Sequence, residues 1–330
     1  MKTTGFAGIL GTGHYVPERI LTNMDLEKMV DTSDEWIRTR TGIETRHLAA
    51  PSENTSDLCV EAAKQALDAA GLTADDIDFV MVATASPDYV VPSTACMVQQ
   101  KLGCTHAGAM DISAGCSGYI YAVAWANGMV KAGVYRHVLI IGAEILSRLV
   151  NWQDRSTCIL FGDGAGAAVV GPTEENFGVL ASELGADGSL GGILNIPSSG
   201  TAEPVSHRSI DSGRIYIHME GPEVFKAAVR HMEHTTLNTL EKAGIQKDEI
   251  NMFIAHQANN RIIQSLAKKL NIDKEHMWVN VNRYGNTSAA SVGIALDEAV
   301  RAGKVHHGDI VVLTGFGAGL TWGCDVMRWM

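Results

Sequence analysis

Proline is scarce in this chain of 330 residues, at 8 against 34 glycines, and charged side chains make up only 19% of it beside 46% hydrophobic ones. That balance excludes disordered and fibrous classes and leaves a globular chain large enough for one big domain or two smaller ones. Long apolar runs are missing as well. None approaches the ~18 residues of a membrane span, and the stretch from Met1 to Leu10, broken by Gly5 and Gly8, is too short for the apolar region of an export signal. A cytoplasmic protein is expected. Paired cysteines are lacking: the six stand at 59, 96, 104, 116, 158 and 324, with no CxxC pair and no zinc spacing. They are expected to be reduced thiols, most of them packing as small hydrophobes. A cationic excess is also absent. The net charge of -11 argues against nucleic-acid or anionic-membrane partners, so an acidic partner must be met by a local basic patch.

What the chain does contain is a repeat. The segment Ala70-Gly71-Leu72 through Ile77-Asp78-Phe79-Val80-Met81-Val82-Ala83 lines up with Ala243-Gly244-Ile245 through Ile250-Asn251-Met252-Phe253-Ile254-Ala255-His256, at an offset of 173. Each copy reads as a helix ending at glycine, an acidic turn and a short apolar strand, with the helices at Leu58–Ala69 and Val224–Lys242. A second match, at an offset of 170, pairs Val130-Lys131-Ala132-Gly133 with Val300-Arg301-Ala302-Gly303, each before an apolar run, Val138–Ile141 and Ile310–Leu313. Carried back, it sets Cys116 opposite Asn286, each opening a small-residue helix after a strand, Ala109–Ile112 and Val279–Val281. Two similar α/β halves follow, 1–174 and 175–330, with sheets layered between helices. Short apolar runs leave parallel and mixed pairing undecided. The Ser-, Gly- and Pro-rich stretch Pro197–Gly213 reads as a surface flap.

Cys116 lies among small residues in Ser113-Ala114-Gly115-Cys116-Ser117-Gly118, where a strand gives way to a helix. A thiol at a helix N-terminus is biased toward thiolate, and the glycines leave room for substrate and backbone N–H donors, although taken alone such a cysteine is more often a buried packing residue. His256 follows the strand Asn251–Ala255, at the sheet edge where α/β folds place ligands; a structural histidine is its competing reading. Asn286 is first of all a helix N-cap candidate, raised only by its symmetry with Cys116. The runs Gly162–Gly166 and Gly315–Gly319 are not G-x-G-x-x-G between strand and helix, which argues against a dinucleotide, and close backbone packing or an oxyanion donor fits the second run better. His231 and His234 are a weak metal signal without a third ligand and read as a solvated helix face; no metal is expected. Arg261, Lys268 and Lys269 share one helix face, either a docking site for an acidic partner or an ordinary solvated face.

Taken together, Thr32-Ser33-Asp34-Glu35-Trp36-Ile37-Arg38-Thr39-Arg40-Thr41-Gly42-Ile43, the Cys116 segment, Phe161-Gly162-Asp163-Gly164-Ala165-Gly166-Ala167, His256-Gln257-Ala258-Asn259 and Tyr284-Gly285-Asn286-Thr287-Ser288 resemble the β-ketoacyl-acyl-carrier-protein synthase III family over essentially the whole chain. The resemblance implies a thiolase-like fold and an initiating condensation in fatty acid synthesis: Cys116 takes a short acyl group from acyl-coenzyme A, and malonyl-acyl carrier protein then loses carbon dioxide and attacks it. His256 and Asn286 would stabilise the enolate, and the N–H groups of Cys116 and Ala318 would form an oxyanion hole. Asn286, where elongating relatives carry histidine, points to the initiating branch or its specialised offshoots in quinolone or polyketide starter synthesis. By the same resemblance coenzyme A contacts fall on Thr32, Trp36, Arg40, Arg155 and Asn259. Carrier-protein contacts fall on Gln257, Ala258, Asn259, Asn260 and Arg261, beside Lys268 and Lys269. The acyl pocket would include Val91 and Phe316. Two departures stand out: Pro222 replaces a polar tunnel residue, and Val91 replaces a larger aromatic in a pocket to which a second subunit can contribute, which hints at room beyond acetyl. No cofactor is implied, since both thioesters are substrates; a homodimer is. A cysteine hydrolase releasing the acyl group to water, with His256 as base, is the competing activity, and a non-catalytic carrier-binding homologue would lack one of the three residues, all present here.

Overall fold

Strand β1, Ala7–Tyr15, is followed by a small hairpin of β2, Arg19–Thr22, and β3, Thr45–Leu48, and then by β4, Phe79–Ala83, β5, Gly108–Ile112, β6, Val138–Ile145, and β7, Asp163–Pro172. The second part of the chain supplies β8, Gly178–Ala186, a short pair β9, Leu194–Asn195, and β10, His218–Met219, then β11, Ile250–Ala255, β12, Ile310–Gly317, and β13, Thr321–Arg328. The computed structural model describes residues 5–330; the first four, part of the Met1–Leu10 stretch and of the first half, lie outside it.

Two sheets carry the fold. One runs β1-β7-β6-β4-β5 and the other β8-β13-β12-β11, so the strands of the first end at Pro172 and those of the second begin at Gly178. The strand order is the same in both, read from the outer antiparallel strand inward. Pairing is mixed: β4 is parallel to β5 and β6, and β11 to β12, while the other neighbours are antiparallel. All eight residues of β6 are buried, as expected of a strand covered on both faces. Helices Gly118–Lys131 and Ala290–Arg301 lie between the sheets in one shared apolar core with β4, β6, β11 and β12. Helices Thr55–Ala70 and Thr94–Leu102 cover the outer face of the first sheet. Gly221–Ala243 and Asn260–Leu270 cover the second.

Caps explain where the helices exceed their sequence-based limits. Thr55–Ala70 begins three residues before Leu58 because Asp57 accepts from the N–H of Asn54 at 2.8 Å in a capping box, and it stops at Gly71, whose φ of 65° is left-handed. Gly221–Ala243 carries Pro222 in its first turn, where a missing N–H costs nothing, and stops at Gly244 with φ 69°.

One expected strand is not formed. Val279–Val281 has no ladder, because the Gln257 side-chain oxygen accepts from the N–H groups of Asn280 at 2.9 Å and Val281 at 3.2 Å, taking the donors a strand would use. A lone parallel bridge between Phe253 and Met277 is all that stands where β5 lies in the first sheet. The Pro197–Gly213 stretch is mostly exposed, is anchored by buried Ser198 and Ser209, and carries the short helix His207–Asp211.

Candidate active site

The C-terminal ends of β5 and β11, and the turn leading into Ala290–Arg301, converge on one apolar cavity of about 770 Å³ whose lining includes Cys116, His256, Asn286, Ser288, Phe316 and Ala318. Cys116 sits in the 3-10 turn Gly115–Ser117, one step before the helix Gly118–Lys131, and is buried. The turn is pressed against the second half. A side chain on Gly317 would come within 2.3 Å of the Cys116 nitrogen, and one on Gly115, whose φ is 51°, within 2.6 Å of the Ala318 nitrogen. Close backbone packing is therefore what the Gly315–Gly319 run provides. In the other run Gly166 does the same, with no room for a Cβ beside the backbone nitrogen of Ile294, 2.4 Å away.

His256 continues the ladder beyond β11, donating its N–H to the Thr314 carbonyl at 2.8 Å. Its Nδ1 lies 2.6 Å from Ser291 Oγ, and that oxygen also accepts from the Gln257 N–H at 3.2 Å. The hydroxyl hydrogen is then free to donate to Nδ1, which leaves the imidazole proton on Nε2. Burial lowers the His256 pKa to about 3, so the ring is neutral. Asn286 is held as a single-residue bridge beside Phe161, donating its N–H to the Leu160 carbonyl at 2.8 Å and accepting from Gly162 at 3.0 Å. Its side-chain oxygen accepts from the Ser288 N–H at 2.8 Å, and its NH2 is left as the donor. The N-cap of the following helix is Ala289, so the capping reading of Asn286 fails.

Cys116 corrects another expectation. Burial pushes its thiol up to about 12, with the Ser288 hydroxyl working against it and the nearby Glu144 carboxylate pushing the same way as burial. In this pocket desolvation outweighs the helix N-terminus, and Cys116 rests as a thiol. Glu144 was not singled out from the sequence, although a charged residue inside the apolar run Val138–Ile145 was the signal. It is fully buried and accepts from Ser86 Oγ at 2.5 Å, the Ala85 N–H at 3.1 Å and Ser288 Oγ at 3.0 Å.

The proposed coenzyme A residues cluster outside the cavity mouth. The Arg155 and Arg40 guanidinium carbons lie 4.9 Å and 5.9 Å from the centre of the Trp36 ring, and Arg155 donates to the Asp31 carbonyl at 2.8 Å. Thr32 Oγ1 is buried with no hydrogen-bond partner. Asn259 connects this cluster to the mouth, capping Asn260–Leu270 by accepting from the Arg261 N–H at 2.8 Å and donating to the Arg40 carbonyl at 3.2 Å. Of the carrier-facing set, Arg261 and Lys268 are exposed, Asn260 packs against Gly42, Ala258 lines the cavity and Lys269 is paired with Glu233 at 2.5 Å. Gln257 is a correction. It is buried, with its amide spent on the Ala255 and Trp278 carbonyls and the 280–281 backbone, and offers nothing to a partner's surface.

Val91 is 82% exposed on the loop after β4, outside the cavity lining of this chain, whereas Phe316 lines it. Pro222 lines it too, beside Leu194, Ile217, Met219, Val224 and Phe225, which the sequence did not mark. His231 is not on a solvated face: its ring stacks on Trp322 with centroids 3.9 Å apart, and it is half-buried, whereas His234 is exposed. Among the described residues no group of three or more potential metal ligands occurs.

Two half-folds of one topology meeting at a buried thiol, with a neutral imidazole and a carboxamide turned to the same cavity, define a condensing acyltransferase of the thiolase-like fold. Comparison with known proteins agrees. A family model for 3-oxoacyl-[acyl-carrier-protein] synthase III matches residues 110–188, and one for the C-terminal region of the same enzyme matches 240–329. A β-ketoacyl-[acyl-carrier-protein] synthase III of Caldanaerobacter subterraneus is 55% identical over 323 residues, 98% of each chain. The crystal structure of the Aquifex aeolicus 3-oxoacyl-[acyl-carrier-protein] synthase III superposes with a TM-score of 0.91 at 49% identity, over 98% of this chain and 100% of that one. The Thermus thermophilus synthase III gives 0.91 at 47%, over 98% and 99%. The chain belongs to the β-ketoacyl-[acyl-carrier-protein] synthase III family.

Proposed function

We propose that this enzyme starts fatty acid synthesis by condensing a short acyl group, carried from coenzyme A on Cys116, with malonyl-acyl carrier protein. The observation that carries the assignment of roles is that Cys116, His256 and Asn286 line one apolar cavity while Nε2–H and the Asn286 amide are left as donors. In the first half-reaction the Cys116 sulfur attacks the acyl thioester, and the N–H groups of Cys116 and Ala318 receive the developing oxyanion. In the second, the malonyl carboxylate enters a cavity poor in polar groups, where loss of charge as carbon dioxide is favoured. The enolate oxygen left behind is met by two neutral donors, His256 and Asn286, and its carbon attacks the acyl-cysteine. A neutral His256 suits this role, because a donor that kept its proton tightly would not quench the enolate.

Trp36 and Arg155, with Arg40, Thr32 and Asn259, are positioned for the adenine and phosphates of coenzyme A, provided Arg155 swings off the Trp36 ring. Arg261 and Lys268 are positioned for an acidic carrier protein. The two thioesters are substrates, and the reaction needs no cofactor. Halves 1–174 and 175–330 each contribute one side of the site. The exposed apolar run Tyr89, Val90 and Val91 supports a homodimer, and six unpaired cysteines support a reducing, cytoplasmic setting. No helix among the described residues is long and apolar enough to cross a membrane.

The test is intact-mass and peptide mass spectrometry after incubation with acetyl-coenzyme A, using the wild type and Cys116→Ser, followed by malonyl-acyl carrier protein. Acylation confined to Cys116 and discharged as a β-ketoacyl carrier product only with the malonyl carrier is expected. Discharge to free acid regardless of the carrier would overturn the condensation in favour of hydrolysis. Absence of acylation by acetyl, propionyl or branched donors would overturn the primer.

A further inference from the structure

The segment 277–281 sets out beside β11, through the bridge between Phe253 and Met277 and a bond from the Trp278 N–H to the Phe253 carbonyl at 3.3 Å. Past that point the buried Gln257 side chain takes the place of a strand. Its Nε2 donates to the Ala255 carbonyl at 2.8 Å and the Trp278 carbonyl at 3.3 Å, and its Oε1 accepts from the N–H groups of Asn280 at 2.9 Å and Val281 at 3.2 Å. The backbone N–H of Gln257 donates at 3.2 Å to Ser291 Oγ, the oxygen that lies 2.6 Å from His256 Nδ1. Val281 precedes Asn286 in the chain and Ser291 follows it. One residue therefore bonds both flanks of Asn286 and is itself the covalent neighbour of His256. We propose that Gln257 is the positioning residue that sets the spacing between the His256 ring and the Asn286 carboxamide, a role that rests on the condensation mechanism above.

Two donors can share one enolate oxygen only if their separation is held to a fraction of an ångström. Their own anchors lie in different halves of the molecule. His256 is tied to the Thr314 carbonyl of β12, whereas Asn286 is tied to Leu160 and Gly162, just ahead of β7. Gln257 supplies the link between them. The segment it grips is also fixed from its far side: Glu298 accepts from Trp278 Nε1 at 3.1 Å, Asn280 Nδ2 at 2.8 Å, Arg283 at 2.7 Å and Tyr284 Oη at 2.6 Å. The Asn282 carbonyl accepts from the Glu44 N–H at 2.8 Å. Removing the Gln257 amide should therefore loosen the segment from the His256 strand without unfolding it. The Cys116 turn has a separate anchor in its close contact with Gly317, so acyl transfer and decarboxylation depend on different supports.

The experiment compares the wild type, Gln257→Met and Gln257→Glu in three measurements. These are single-turnover acyl transfer from acetyl-coenzyme A, decarboxylation kcat and KM with malonyl-coenzyme A and with malonyl-acyl carrier protein, and hydrogen exchange of the backbone amides of Asn280, Val281 and Asn286. Gln257→Met fills the space with neither half of the amide, while Gln257→Glu keeps an oxygen for the two N–H groups. In Gln257→Met the decarboxylation kcat should fall about 10²-fold with both malonyl thioesters at nearly constant KM, and acyl transfer should change by less than about threefold. Exchange at Asn280 and Val281 should speed up about tenfold or more. Gln257→Glu should recover part of each loss, and it serves if Gln257→Met folds poorly. Parallel losses in acyl transfer and decarboxylation would reduce Gln257 to a folding role and overturn the proposal. A KM rise confined to malonyl-acyl carrier protein would overturn it too, by returning Gln257 to the carrier surface, as would unchanged exchange in a folded variant. Exchange is read without substrate. A wild type that decarboxylates neither thioester overturns the reaction proposed above, and exchange alone then decides whether Gln257 holds the Asn286 segment.

Discussion

At the scale of single residues the site is set by which groups are denied their charge. His256 is the clearest case. An imidazole whose pKa falls from 6.5 to about 3 on folding must be neutral in the native state, while the unfolded chain takes up a proton below pH 6.5. The unfolded state then binds more protons, so the stability His256 permits is fully present above pH 6.5 and is lost as pH falls toward 3. Between pH 8 and pH 5 this one residue should cost the wild type about 2 kcal/mol. The check is urea unfolding of the wild type and His256→Gln at both pH values: the variant should lose less, and equal losses would mean the ring is not held neutral. The same neutrality makes Ser291 matter, because its hydroxyl selects the Nε2–H tautomer. Ser291→Ala should lower the decarboxylation kcat about tenfold, the equivalent of about 1.4 kcal/mol, while leaving KM for the malonyl thioester almost unchanged. A rise in KM at constant kcat would assign Ser291 to binding instead.

At the scale of elements, the position of the Cys116 thiol depends on how closely its turn is set against β12. A Cβ at position 317 would stand 2.3 Å from the Cys116 nitrogen, far inside van der Waals contact, and the obstacle is backbone that cannot rotate away. Gly317→Ala should therefore destabilise the fold by about 1–3 kcal/mol and displace the thiol, cutting acylation by more than the loss of folded protein explains. Denaturant midpoints and the acylation rate, measured on the same sample, would show it. An active, equally stable variant would mean the turn is not wedged. Most elements were legible in sequence because each carries its own signal: capped helices with left-handed glycines at their ends, and apolar runs for β4, β6 and β12. The missing strand at Val279–Val281 was not, because a buried Gln257 side chain from a distant segment captures its donors. Helix N-terminal placement of Cys116 was legible, but its consequence was not. Burial reverses the expected pKa, and burial is a property of the whole fold.

At the scale of the molecule, the repeat with offsets of 170 and 173 made the paired sheets and the opposition of Cys116 to Asn286 readable without coordinates, since duplicated halves carry duplicated signals. What it could not reveal were contacts made once, between segments with no counterpart: Glu144 on Ser288, Ser291 on His256, and the apolar wall from Leu194 to Phe225. The charge distribution belongs to this scale too. With a net charge of -11 the protein repels an acidic carrier at long range, so attraction must come from the few cations beside the cavity mouth. Spacing placed three there, but Glu233 neutralises Lys269 and leaves Arg261 and Lys268. Lys268→Glu should raise KM for malonyl-acyl carrier protein about fivefold, as expected for loss of roughly 1 kcal/mol from an exposed charge pair, and should flatten the fall in carrier affinity with added salt. Malonyl-coenzyme A, which has no carrier surface, serves as the control substrate. A much smaller rise in its KM assigns Lys268 to the carrier; an equal rise would place Lys268 at the thioester arm and leave Arg261 as the cation facing the carrier.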